Sequence, residues 1–259
     1  MPGDYAAVYA VEDIRSCAPL SNEKFIELVR NFPGFSLPDN DWAIRLGNPA
    51  AARPLLNLLN VKYLLANPRT LPWGHDPYII RNFSDFTVLE NDQAWPRAFF
   101  AGEIVPESSN GEFTRYLVQH GDQPFAAVGR EQAEHDPNLQ SLEHAANTTI
   151  VAAEHYQLLP NSTAFDIKTP APGVVCLTEG QARDFLATAN GQPVAVFTVN
   201  RAFKGIYLAK PGNYHVKFRY RPHFWRVALT LFCVSAGIVV ILGATECARI
   251  RRRPHSATA

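Results

Sequence analysis

The densest group of side chains that could do chemistry lies near the N-terminus, where Glu12, Asp13 and Arg15 fall within YAVEDIRSCAPL. A guanidinium offers paired donors to a phosphate, and a neighbouring carboxylate accepts from a hydroxyl. Asp13 and Arg15 are therefore candidate substrate-binding residues for a phosphate or sugar hydroxyl; the alternative is that they pair with each other or with backbone groups at a turn. No catalytic residue is assigned. The eight histidines are scattered from His75 to His255, with no H-E-x-x-H or other close ligand pair, so no metal site is expected. Neither a nucleophile elbow, a phosphate loop nor a dinucleotide fingerprint occurs, and no cofactor is expected. Lys plus Arg and Asp plus Glu each number 24, which speaks against a nucleic-acid partner. Cys17 and Cys176 could form a disulfide outside the cytoplasm or could simply be buried.

The element that must organise these residues is Val227 to Thr245, nineteen consecutive positions without a charge. As a helix it reaches about 28 Å, close to a hydrocarbon core of roughly 30 Å, so it is read as a membrane span and the lipid bilayer as a partner. Tyr220, Phe224 and Trp225 form an aromatic belt before it, with Arg226 beside them. Arg249, Arg251, Arg252 and Arg253 follow it as a cytoplasmic anchor. Lys217, Arg219 and Arg221 could meet anionic head groups, worth about 1 kcal/mol each, or could form a solvated strand face. Ala236, Gly237, Gly243 and Ala244 either admit close approach by another helix or reflect the usual frequency of small residues in spans. Met1 to Ala10 has no basic or continuously apolar region of a signal peptide. With the basic tail inside, the preceding 220 or so residues belong outside. The expectation is that further spans lie upstream and that this chain is the C-terminal piece of a larger polytopic protein, or a split or truncated copy of one.

With 259 residues, 47% hydrophobic, the chain can hold one or two cores besides the span. Ser21 is a candidate cap for a helix over 22–32, whose Phe25, Leu28, Val29 and Phe32 share one face. Pro54 suits the first turn of a second helix, which leads into a strand at 61–65. Strands at 78–81, 86–90 and 96–104 suggest a small sheet, and 111–120 a helix with Phe113, Leu117 and, as an open alternative, Tyr116 inward. From 148 the pattern turns all-β, with strands at 149–154, 164–168, 173–178, 185–189, 193–199, 204–208 and 214–220 and a hairpin turn at Asn190-Gly191. In the last strand Tyr214, Val216, Phe218 and Tyr220 alternate with His215, Lys217, Arg219 and Arg221. The fold class expected is α+β: a small α/β layer (1–104), a connector (105–147), an antiparallel β-sandwich (148–222), one C-terminal transmembrane helix (225–247) and a basic tail (248–259).

Three stretches together resemble a known family. YAVEDIRSCAPL at 9–20, LLNLLNVKYLL at 55–65 followed by TVLENDQAWPRAF at 87–99, and NRAFKGIYLAKPGNYHVKFRYRP at 200–222 leading into a final span are similar to the C-terminal region of the YfhO-like bacterial membrane proteins. The resemblance implies a relation to GT-C glycosyltransferases, which use a polyprenyl-phosphate-linked sugar on the outer side of the cytoplasmic membrane. It implies a polytopic membrane domain as partner, a glycan or polyprenyl-phosphate sugar as ligand, and a groove facing that domain that Asp13 and Arg15 could line. Relatives carry a tyrosine-proline-glycine-tryptophan type segment where this chain reads EGQARDFL at 179–186. The family's acidic catalytic residues belong to an early loop that this sequence does not contain, so the chain alone is expected to be non-catalytic. The other reading is a non-catalytic single-span module that binds a glycan or a partner protein.

Overall fold

A computed structural model describes residues 23–36, 45–67, 78–143, 145, 148–159 and 161–252, with side chains as far as Thr245. Asp13, Arg15, Cys17, Ser21 and Arg253 lie outside the described residues. Helix α1 (Glu23–Arg30) buries Leu28 and Val29, and Phe32 follows them into the same core, as the spacing of the apolar positions requires. A two-residue pair, β1 (Phe35–Ser36) and β2 (Arg45–Leu46), precedes helix α2 (Pro49–Leu58). Asn48 caps α2, its side chain accepting from the Ala51 amide at 3.1 Å, and Pro49 takes the first turn, where a missing N–H costs nothing. Pro54, expected in the first turn, is therefore inside the helix. After Asn60, whose φ is 56°, the chain enters β3 (Tyr63–Ala66). With β4 (Ile79–Asn82) and β5 (Thr87–Glu90) it forms an antiparallel sheet of order β3-β5-β4, one face of which packs Leu89 against Ala52 and Leu56 of α2.

The remaining strands build two larger sheets. They are β6 (Ala98–Ala101), β7 (Ile104–Glu107), β8 (Ala126–Gly129), β9 (Ile150–Ala152), β10 (Glu154–Leu159), β11 (Ser162–Thr169), β12 (Gly173–Gly180), β13 (Phe185–Ala189), β14 (Gln192–Val194), β15 (Val196–Val199), β16 (Phe203–Leu208) and β17 (Gly212–Tyr220). A seven-stranded sheet has the order β7-β8-β15-β16-β12-β6-β9, and a five-stranded sheet the order β10-β11-β17-β13-β14. The seven-stranded sheet is the middle layer. Along β12, Val174 and Cys176 join a core shared with Leu28, Leu55, Phe113 and Leu117 of the helices, whereas Val175 and Leu177 join a core shared with Phe165, Val216 and Phe218 of the other sheet. Strands covered on both faces read as unbroken apolar runs, here GVVCL and AFFA.

Two expectations change for that reason. The strand at 96–104 does not complete the small sheet: β6 pairs with β12 and β9, because Phe99 and Phe100 each need a covered face. Residues 105–147, expected as a connector, hold β7, helix α3 (Asn110–His120), the parallel strand β8, and the short helices α4 (Arg130–His135) and α5 (Pro137–Gln140). Phe113, Leu117, Ala133 and Leu139 from these helices cover one face of the middle sheet. The sheet thus runs across the boundaries expected at 104 and 147. The strands expected at 149–154 and 193–199 each break at an alanine, Ala153 and Ala195, where the chain passes from one sheet to the other as a sandwich corner does.

Other readings hold. The fold is α+β with packed antiparallel sheets and one C-terminal apolar helix. Asn190 and Gly191 have φ of 49° and 78°, the pair of positive angles that a two-residue hairpin turn between β13 and β14 demands. On β17, Val216 and Phe218 are buried while His215, Lys217 and Arg219 are exposed. Cys176 is a free, buried thiol, and burial pushes its pKa up.

The described residues up to Arg219 form one compact unit and those from Tyr220 a second. The second holds helix α6 (Trp225–Arg252), 28 residues long, whose segment Trp225–Thr245 is long and apolar enough to cross a membrane and has no residue buried within the chain. Its hydroxyls are satisfied inside the helix: Thr230 Oγ1 donates to the Arg226 carbonyl at 2.9 Å and Ser235 Oγ to the Leu231 carbonyl at 2.8 Å.

Candidate functional site

A concavity among the described residues of the first unit is built on α3. Ser109 starts the helix, its Oγ accepting from the Glu112 amide at 3.1 Å, while Glu112 Oε2 accepts from the Ser108 amide at 2.8 Å. Ser109→Ala should cost about 1 kcal/mol of stability, read as a lower unfolding midpoint, with Ser109→Asp retaining most of it. At the other end, Asn57 Nδ2 and Trp95 Nε1 both donate to the Gly121 carbonyl at 3.0 Å, which anchors the last turn to α2 and to the loop before β6. Only glycine fits there, since a Cβ on residue 121 would lie 2.4 Å from the Leu117 carbonyl oxygen.

Phe113 and Leu117 point into the core, which leaves Tyr116 and His120, one turn apart, on the flank. Their ring centroids are 4.5 Å apart, and Phe125 meets Tyr116 edge-on at 4.9 Å. Between this flank, the turn from β6 to β7, and Thr148 to Ile150 lies a groove of about 370 Å³. That is within the range of roughly 300–1,000 Å³ common to small-ligand clefts. Its apolar wall includes Val105, Phe125 and Ile150; its polar groups include the carboxylates of Glu103 and Asp122, the amides of Gln119 and Gln123, the His120 imidazole and the hydroxyls of Tyr116 and Thr148. Among the described residues that line it, none is Lys or Arg. Burial, and then the charge of Glu103, push the Tyr116 phenol up, so its hydroxyl keeps its proton and can donate. Among the described residues no group of three His, Cys, Asp or Glu side chains is placed to hold a metal ion.

None of the described residues offered as site residues in the sequence is among those lining this groove. Asp13 and Arg15 lie outside the described residues. Lys217 and Arg219 stand on the outer face of β17, opposite Ala164 and Ser162 of β11. Arg221, Phe224, Trp225 and Arg226 are exposed, and Arg249, Arg251 and Arg252 lie on the last turns of α6. The groove residues were missed because they come from three separate stretches, 102–105, 116–125 and 148–150. The one local signal was the spacing of Tyr116 and His120 on a helix whose core face was already occupied by Phe113 and Leu117.

Two charged clusters lie elsewhere in this unit. Where the sandwich core reaches Glu179, that residue accepts from Lys204 Nζ at 3.0 Å, Thr163 Oγ1 at 2.8 Å and an Arg97 guanidinium nitrogen at 3.1 Å. Burial raises the Glu179 carboxyl, but Lys204, Thr163 and Arg97 outweigh it and hold the group below the usual carboxylate range. Burial pushes Lys204 down, and Glu179 offsets this only in part. The two directions differ because the carboxylate gains three donors, whereas the ammonium loses its hydration and also faces Arg97. On the outer face of the five-stranded sheet, Asp166 lies between His215 Nδ1 at 2.7 Å and His155 Nδ1 at 3.1 Å. The hydrogen bond from His215 is the main cause that holds Asp166 below its ordinary value of 3.8. A lowered carboxyl stabilises the fold above its unfolded pKa and ceases to do so as pH falls through the folded one. Asp166→Asn should therefore narrow the loss of stability that the parent chain shows on acidification below that value, measured as unfolding midpoint against pH.

Within the stretch NRAFKGIY, Asn200 and Arg201 have φ of 47° and 70° and form the turn from β15 to β16. Asn200 accepts from the Ala127 amide at 2.7 Å, and Arg201 grips both Glu107 oxygens at 3.1 and 2.9 Å, so the turn clamps β8 and β7. These residues hold the fold that carries the groove. Compared with protein-family models, with curated proteins and with solved structures, the chain matches none.

Proposed function

We propose that this chain is the extracytoplasmic C-terminal region and last span of a GT-C-like membrane glycosyltransferase of the bacterial cytoplasmic membrane. In this reading it handles glycan and is not itself catalytic. Transfer from a polyprenyl-phosphate sugar to a cell-envelope glycan or polymer belongs to a polytopic membrane domain upstream or in a separate subunit. The reading draws on the YfhO-like resemblance of the three stretches quoted above. The observation that carries it is the segment Trp225–Thr245, of which 0% is buried in the chain's own core, so that its apolar surface calls for lipid or neighbouring helices. The arginines after it support a cytoplasmic position for that end and an outer one for the β-rich unit. The groove on α3 supports the glycan-handling part, and by itself it equally supports the second reading, a single-span glycan-binding module.

An immunoblot of native membranes with an antibody to residues 148–222, beside protease treatment of cells stripped of any outer barrier, tests this. A band several-fold heavier than 28.8 kDa that is cleaved from outside is the expected result. A band near 28.8 kDa cleaved from outside would turn the conclusion to the single-span module. Protection from external protease would overturn both.

A further inference from the structure

The groove on α3 has a chemistry that selects among the ligands of a glycan-handling protein. A sugar ring presents a patch of C–H groups on one face and hydroxyls around its edge. Binding it takes an aromatic platform beside acceptors and donors set to either side. Tyr116 is such a platform: its ring is held against Phe125 at 4.9 Å and His120 at 4.5 Å, which leaves little side-chain freedom to be lost on binding. Glu103 comes from the turn between β6 and β7 and Asp122 from beyond the end of α3, so the carboxylates reach the groove from two separate elements. Gln119 and Gln123 add amides that can donate or accept. The charge pattern excludes as much as it admits. Two carboxylates, with His120 the one basic side chain and no Lys or Arg among the described lining residues, favour a hydroxyl or ammonium donor over a phosphate or a uronic acid.

We infer that this groove binds a neutral or amino-substituted glycan, with Tyr116 stacked on a sugar ring and Glu103 and Asp122 accepting from its hydroxyl or amino groups. Resting on the glycan-handling reading, this assigns the groove to the acceptor glycan and not to the phosphate-linked donor. The donor's charge requires cationic contacts made elsewhere.

The test is binding of the detergent-solubilised chain 1–259 to an array of immobilised neutral, amino and acidic oligosaccharides. Tyr116→Ala, Tyr116→Phe and the double variant Glu103→Gln with Asp122→Asn are measured in parallel, each checked for an intact unfolding transition. Retention on neutral or amino glycans is expected, about tenfold weaker for Tyr116→Ala and nearly unchanged for Tyr116→Phe. The double variant alters only rim groups, so folding is not at stake; it should lose any preference for amino sugars over their N-acetylated forms. Absence of glycan retention, retention of acidic glycans alone, or neutral-glycan binding as strong as the parent's in both Tyr116→Ala and the double variant would overturn the inference. The immunoblot and protease result is independent of all these outcomes, so failure of the groove assignment and failure of the membrane reading are told apart.

Discussion

Glu179→Leu should destabilise the β-rich unit by about 3 kcal/mol at neutral pH, and adding Lys204→Met should restore most of that loss. The reason is burial. The Lys204 side chain is 2% exposed and that of Glu179 19%. Lys204 Nζ lies 3.0 Å from the Glu179 carboxylate and 3.4 Å from the centroid of the Phe185 ring. With the carboxylate gone, the ammonium keeps only the ring face and the repulsion of Arg97, and an uncompensated buried charge costs more than the pair itself contributes. Methionine fills a similar volume without a charge, so the double variant tests whether the loss comes from Lys204 being stranded. The measurement is the unfolding midpoint of the detergent-solubilised chain, followed by near-ultraviolet circular dichroism. A single variant no less stable than the parent, or a double variant no better than the single, would show that the ion pair is not what stabilises this end of the sandwich. The pH dependence has a defined sign. Because the folded-state pKa of Glu179 is lowered, its contribution is complete above its ordinary value of 4.5 and is lost as pH falls through the folded value. The gap between parent and Glu179→Leu should therefore close in acid.

Trp95→Ala should cost about 3–5 kcal/mol and lower the thermal midpoint by roughly 8–16 °C. Trp95 is 1% exposed, and its indole lies edge-on to Phe99 at 5.9 Å and to Phe125 at 5.1 Å. Its Nε1 donates to the Gly121 carbonyl at 3.0 Å, and its own amide donates to the Asn57 carbonyl at 2.9 Å. Truncation leaves a cavity beneath Phe125, which is also a wall of the groove, and removes one of two donors that anchor the end of α3. Trp95→Phe keeps most of the ring and leaves Asn57 as a donor to Gly121, so its cost should be less than half as large. A Trp95→Ala midpoint within about 2 °C of the parent would mean that the loop before β6 is not packed as described. Because Phe125 backs Tyr116, the alanine variant should also weaken any ligand held in the groove, whereas Trp95→Phe should not.

What the sequence by itself determined was local. Nineteen uncharged residues match the length of an apolar spanning helix, and α6 covers all of them. The alternation on β17 decides which side chains face the core because a strand has a period of two, and Asn190-Gly191 makes a hairpin because both residues tolerate positive φ. The apolar face of α1 follows from helical spacing in the same way. Pro49 against Pro54 shows the limit of such signals: both suit a first turn, and the Asn48 cap decides between them. Only the tertiary structure decided which strands share a sheet. AFFA at 98–101 announces a strand covered on both faces without naming its neighbours, and β12 lies some seventy residues further along. The helix at 110–120 is legible in the spacing of Phe113 and Leu117, but the polar run at 121–147 has little periodicity and makes 105–147 read as a connector, so the helix's polar surface carries no message. That surface is the flank of the groove, and Phe113 and Leu117 sit in the core that Val174 and Cys176 complete. Glu179 and Lys204, or Glu103, Tyr116 and Asp122, carry no mark of partnership in the chain. Periodicity reports the environment of a residue within a window of one or two turns, whereas sheet order and the convergence of distant side chains are set by burial summed over the whole core.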